Sequence, residues 1–134
     1  MYLILSTLPH FCSVFPLIKY YKEHTYGYIH TILLSVGFSI LYHAYQESNY
    51  MITFFDYGFA GTWFVYDIYM GYRYTTKQIL FKILLVNGVS CCTNMQISHD
   101  DSYIVYHSIW HLINAYKSFY VSNQISLSLK RIHI

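Results

Sequence analysis

Charge is scarce in this chain. Lys, Arg, Asp and Glu make up 10% of its 134 residues and hydrophobic types 55%, whereas an ordinary soluble domain carries about 25% charged residues. That shortage predicts a chain surrounded by lipid. The mean hydropathy of +0.30 is modest for such a protein, but 17 tyrosines lower it, and tyrosine scores as polar while sitting well at a membrane interface. Basic residues are equally sparse. A net charge of +2, with no basic patch interleaved with aromatics, excludes a nucleic-acid surface. The three cysteines, Cys12, Cys91 and Cys92, are odd in number and follow no spaced framework, which excludes a disulfide scaffold. They read as packing residues. There is no G-x-S-x-G, Walker A or G-x-G-x-x-G sequence, so the common soluble hydrolase and nucleotide-binding sites are missing. The N-terminus lacks a leading basic region and reads as a retained span rather than a cleaved signal.

What the chain does have is five apolar segments, at about 1–18, 26–45, 51–70, 79–96 and 102–121. Each approaches the roughly 20 residues needed to cross hydrocarbon. The connections are short and polar, which predicts antiparallel neighbours. The expected fold is therefore an all-α integral membrane bundle of about five helices. It forms a single domain over 1–121, followed by a short polar and basic tail over 122–134. The first segment is short and contains Pro9, His10 and Pro16; proline is tolerated in a membrane helix where neighbours satisfy the freed backbone groups.

Charge placement fits that count. With five alternating spans, Lys19, Lys22, Arg73, Lys77, Lys130 and Arg131 fall on one side, and Lys82 and Lys117 lie in span ends facing it. The other side carries Glu47, Asp100 and Asp101 and no basic residue. The positive-inside bias then puts the C-terminus in the cytosol and the N-terminus outside or in a lumen.

Polar residues inside these apolar segments mark the candidate site. Ser39 and His43 lie near the end of the second segment, Asp56 near the start of the third, and His107 and His111 near the start of the last. Ionisable groups in a bilayer are costly and by default functional. In the five-span topology all of them lie roughly 4–14 Å below the same face. Residues four apart share a helix face, so Ser39 can point with His43, and His107 with His111. Three histidines with a carboxylate also look like a zinc site that keeps one position open for water. Asn114 continues the His107 stripe and reads either as an outer partner of the site or as interhelical glue. Asp56, Trp63 and Asp67 share a face, with Asp67 expected to pair with a basic group such as Arg73. His10, His24, His30, His99 and His133 read as interfacial or loop residues. The opposing reading of the whole set is simple interhelical hydrogen bonding, with no metal.

The order Ser39-Ile-Leu-Tyr-His43, then Phe55-Asp56, then His107-Ser-Ile-Trp-His111 resembles the CREST superfamily of membrane proteins. That superfamily includes alkaline ceramidases, progestin and adiponectin receptors, and myomaker-type proteins. The resemblance covers roughly 35–120, with the motifs in three short windows. It implies zinc held by His43, His107 and His111, with Asp56 and Ser39 as catalytic groups close to the metal. It also implies hydrolysis of a lipid amide or ester. Two alternatives stand beside the hydrolase: a non-catalytic myomaker-type protein with a structural zinc or histidine cluster, and a small membrane protein without metal. The family has seven helices and this chain accommodates five, the shortening falling between Asp56 and His107. The loss of two spans preserves the orientation of the last one but thins the wall of a lipid pocket, which a second subunit would complete.

Overall fold

The computed structural model describes residues 2–20, 25–45, 49–95 and 102–132. It is all-helical, with no strand among the described residues. Helix α1 covers Tyr2–Thr7 and is followed by two 3₁₀ segments, Leu8–Ser13 and Phe15–Tyr20. Four longer helices follow: α2 Tyr26–Ala44, α3 Tyr50–Tyr74, α4 Lys77–Met95 and α5 Tyr103–Ile132. The N-terminal segment packs against α5, α2 against α3, and α4 against both α3 and α5.

The first expected span is thus continuous but mostly not α-helical. Pro9 and Pro16 each lack an N–H and crowd the carbonyl four residues back. The chain responds with tighter i→i−3 bonding, as in Val14 N–H to Phe11 O (3.1 Å) and Leu17 N–H to Val14 O (3.0 Å). At three residues per turn, side chains at i and i+3 eclipse. Thr7, His10 and Ser13 accordingly form one buried row, and Leu17 and Tyr20 another.

Local signals set the other boundaries. Asn49 caps α3, its Oδ1 accepting from Met51 N–H (3.0 Å) and Ile52 N–H (3.3 Å), which occupies donors the helix itself cannot satisfy. Thr25 ties the start of α2 to the 3₁₀ segment by donating to Tyr20 O (2.9 Å).

Over 122–132 the chain is not a separate tail: α5 runs on through Ile132. The reason lies in its apolar spacing. Val121, Ile125 and Leu129 recur every four residues and are buried in the main core with Leu17, Tyr28, Ile32 and Met70.

The interior is as polar as it is apolar. Among the described residues, 16 polar or charged side chains are buried against 14 hydrophobic ones. On α4 the faces are reversed relative to a water-soluble protein: Asn87 and Ser90 are buried, while Phe81, Leu84, Leu85 and Val89 are exposed. The first half of α5 repeats this, with His107, His111 and Asn114 inside and Val105, Ile109 and Ile113 outside. Two stretches, Leu3–Tyr20 and Tyr26–Ala44, are long and apolar enough by length and composition to cross a membrane.

Candidate metal centre and its cavity

The four-residue spacings on α2 and α5 do what helical geometry requires. His43, in the last turn of α2, meets His107 and His111, in the first turns of α5, and all three are buried. One ligand nitrogen from each can be chosen so that all lie within 4.8 Å of one another. His43 Nε2 and His111 Nε2 are 3.0 Å apart, in hydrogen-bonding contact. The ring centroids are separated by 5.1 Å (His43–His107), 5.2 Å (His43–His111) and 4.7 Å (His107–His111). Nitrogens on one tetrahedral zinc sit ~3.3 Å apart, so small side-chain rotations bring this donor set onto a single ion. A buried group of three neutral donors suits zinc, copper or iron rather than the oxygen-seeking magnesium or calcium.

A cavity of about 600 Å³ opens beside the histidines. Ser39 and Asp56 both line it, together with Val36, Tyr42, Trp63 and Phe64. All five sequence-predicted site residues therefore border one space. Asp56 and Trp63 share it because they are seven residues apart on α3, two turns along one face.

The aromatic surround is dense. Trp110 lies 5.3 Å from His107 and 5.1 Å from His111, ring centre to ring centre, and its Nε1–H donates to Ser90 O (3.1 Å). Tyr42 packs on His43 at 5.1 Å and Tyr103 on His107 at 4.9 Å. These rings limit how far the imidazoles can swing.

His10 departs from expectation. It is buried rather than interfacial, edge-on to His111 at 5.6 Å and to Trp63 at 5.7 Å. Its Nδ1 lies 3.0 Å from Thr7 O. A carbonyl only accepts, so the proton sits on Nδ1 and leaves Nε2 as the acceptor. His30 is half-buried against Tyr26, at 4.1 Å between ring centres. His24, His99 and His133 lie outside the described residues.

Asp67 and Lys117 also differ from expectation. Asp67 does not pair with Arg73, which is exposed; six residues apart on one helix, the two side chains diverge by about 120° around the axis. Fully buried Asp67 instead accepts from Lys117 Nζ at 2.9 Å and from the Tyr28 hydroxyl. Lys117 is not at a helix end facing headgroups, because α5 continues well beyond it. Its side chain is only 10% exposed, and it also donates to Asn87 Oδ1 (2.8 Å) and lies over the Trp63 ring at 5.9 Å. Asn114 resolves to interhelical glue: it accepts from Ser90 Oγ on α4 and donates to Trp110 O (2.8 Å). Lys117, Asn87, Asn114, Ser90 and Ser118 all line the cavity, giving it a polar floor beneath the histidine end.

Compared with protein-family models, characterised proteins and solved structures, the chain matches none.

Proposed function

We propose that this chain is an integral membrane protein of the CREST kind and acts as a zinc-dependent hydrolase on a lipid amide or ester. The observation that carries the reading is the convergence of buried His43, His107 and His111 on a cavity that Asp56 and Ser39 also line. The reversed faces of α4 and α5 support lipid surroundings, since an apolar exterior of this extent is unfavourable in water. In this reading five spans would put the N-terminus on the non-cytosolic side and the C-terminus in the cytosol, the orientation that the bias of the basic residues favours.

His43, His107 and His111 would hold the metal, and neutral imidazoles suit that task because binding requires deprotonated nitrogen. Zinc bound there supplies Lewis acidity and an activated water near neutral pH. Asp56 takes the proton from the attacking water and returns it to the leaving amine or alcohol. The Ser39 hydroxyl, four residues from His43 on the same face of α2, donates to the oxyanion that develops on the scissile carbonyl. Trp110, packed on His107 and His111, flanks this end of the cavity, Trp63 lies between it and Lys117, and both rings keep bulk water from the site. The apolar wall formed by Val36, Tyr42 and Phe64 accommodates part of an acyl chain.

A second reading rests on the 3.0 Å His43–His111 contact. One neutral imidazole donating to another would tie α2 to α5 without any metal. Elemental analysis of protein purified in mild detergent, beside His107→Ala, separates the two. About one zinc per chain, lost in the variant, is the result expected for the metal centre. No metal in either sample after zinc supplementation would assign the histidines to helix packing and remove the basis for a hydrolase. A structural zinc in a non-catalytic protein would bind metal equally well, so turnover of ceramides and related lipid amides is the assay that decides activity.

A further inference from the structure

The cavity has two polar ends. At one are the three histidines. At the other is Lys117, on the same helix, its Cα six residues and so roughly 9 Å of backbone rise beyond that of His111, or roughly 15 Å beyond that of His107, with a helical side chain that leans back toward the N-terminal turn. The same 600 Å³ space is lined by both. A plain alkyl chain descending from the histidine end would run onto this ion pair and the amides beside it.

The chemistry of the floor is specific. A lysine ammonium has three donors and no acceptor. Two are used, on Asp67 Oδ2 at 2.9 Å and Asn87 Oδ1 at 2.8 Å. Asn87 is held in turn by its own donation to Ile83 O (3.0 Å), and Asp67 by Tyr28. The ammonium is thus fixed in place over the Trp63 ring, on a residue that borders the cavity, and its third N–H has no hydrogen-bond acceptor among the described residues. Its charge is offset by Asp67, so the floor attracts a neutral acceptor oxygen rather than a second carboxylate. Burying an ion pair is costly and apolar substitutes often serve packing as well, so a pair kept beside the cavity suits a task beyond joining α3 to α5.

We infer that the cavity takes a two-headed ligand, with a carbonyl group at the histidine end and a neutral oxygen, hydroxyl or amide carbonyl, seated on Lys117 at the floor. This inference rests on the metal reading above and adds the ligand class. An unadorned saturated acyl chain is the wrong shape for the full depth of the site; a medium-length chain bearing a distal hydroxyl is the right one.

The test uses cobalt-loaded full-length protein in detergent. The visible spectrum of cobalt reports the histidine site, and titration with octano- and decanohydroxamate and their ω-hydroxy derivatives reports the floor. A hydrogen bond to a charged group should make the better-fitting ω-hydroxy ligand roughly tenfold or more tighter than its alkyl parent. In the double variant Asp67→Leu/Lys117→Met, which removes both charges together, that preference should vanish or reverse while the cobalt spectrum persists. Cobalt binding with equal affinity for hydroxylated and plain ligands at both chain lengths would overturn the two-headed ligand and leave the metal centre standing. Failure of cobalt to bind the histidines would overturn the metal centre itself, and the inference with it. Retention of the preference in the double variant would also overturn the role given to Lys117.

Discussion

Replacing Lys117 by methionine tests the polar interior most directly. Methionine keeps most of the volume and the unbranched stem but removes the ammonium. Asp67 is fully buried and would keep only the Tyr28 hydroxyl as a partner from its present pair. Breaking a buried pair from one side typically costs about 3–5 kcal/mol. The expected destabilisation is therefore about 3–5 kcal/mol, a fall in Tm of roughly 10–20 °C for a chain of this length. Asp67→Leu/Lys117→Met removes the orphaned charge as well and should melt within about 1 kcal/mol of wild type, or above it. Thermal unfolding in mild detergent, followed by far-UV circular dichroism with both single variants and the double, measures the coupling. If Lys117→Met melted within a few degrees of wild type, or if the double variant were worse than the single, the ion pair would not be the buried, mutually dependent unit described here.

Asp56→Asn should retain zinc and lose turnover; normal hydrolysis by this variant would remove Asp56 from proton transfer. Ile125→Ala, at a fully buried position, should cost about 2–5 kcal/mol, whereas Leu127→Ala, at a position 52% exposed, should stay within about 0.5 kcal/mol. Equal, small effects in thermal melts would return 122–132 to the status of a dispensable tail. At Gly27 an added Cβ would lie 2.6 Å from the Tyr66 hydroxyl oxygen. Gly27→Ala should thus destabilise by about 1–3 kcal/mol, and Tyr66→Phe in the same chain should recover most of it; an unrelieved loss would mean that the clash is not with that hydroxyl.

The long helices and the histidine group were legible because both depend on local periodicity. Apolar runs between short polar connections located α2, α3 and α4 within a few residues. His107 and His111, like Ser39 and His43, were readable as pairs because helical neighbours at spacing four need no tertiary information. What could not be read depended on partners remote in sequence. Lys117 lies in an apolar run near a basic tail, and its destination inside the bundle is set by Asp67, fifty residues earlier. The continuation of α5 was hidden by Ser122, Asn123 and Gln124, whose polarity masks the buried Ile125 and Leu129. The burial of His10 does not show in an α-helical frame, because its segment carries two prolines and winds with a period of three. Read with a period of three, Thr7, His10 and Ser13 form a row, and Pro9 was the available signal.

That period of three also fixes a length. A 3₁₀ segment rises about 2.0 Å per residue against about 1.5 Å for an α-helix. The eighteen residues Leu3–Tyr20 therefore reach roughly 33 Å, where the same number wound as α-helix would reach roughly 27 Å. The stretched winding gives a short run of sequence a length comparable to the roughly 30 Å of a bilayer's hydrocarbon. It also makes the segment intolerant of small changes in length. One inserted residue would rotate everything on its far side by about 120° and, placed after His10, turn that ring away from His111, while three would restore the row and lengthen the span by about 6 Å. Insertions of three residues should therefore be less damaging here than insertions of one or two.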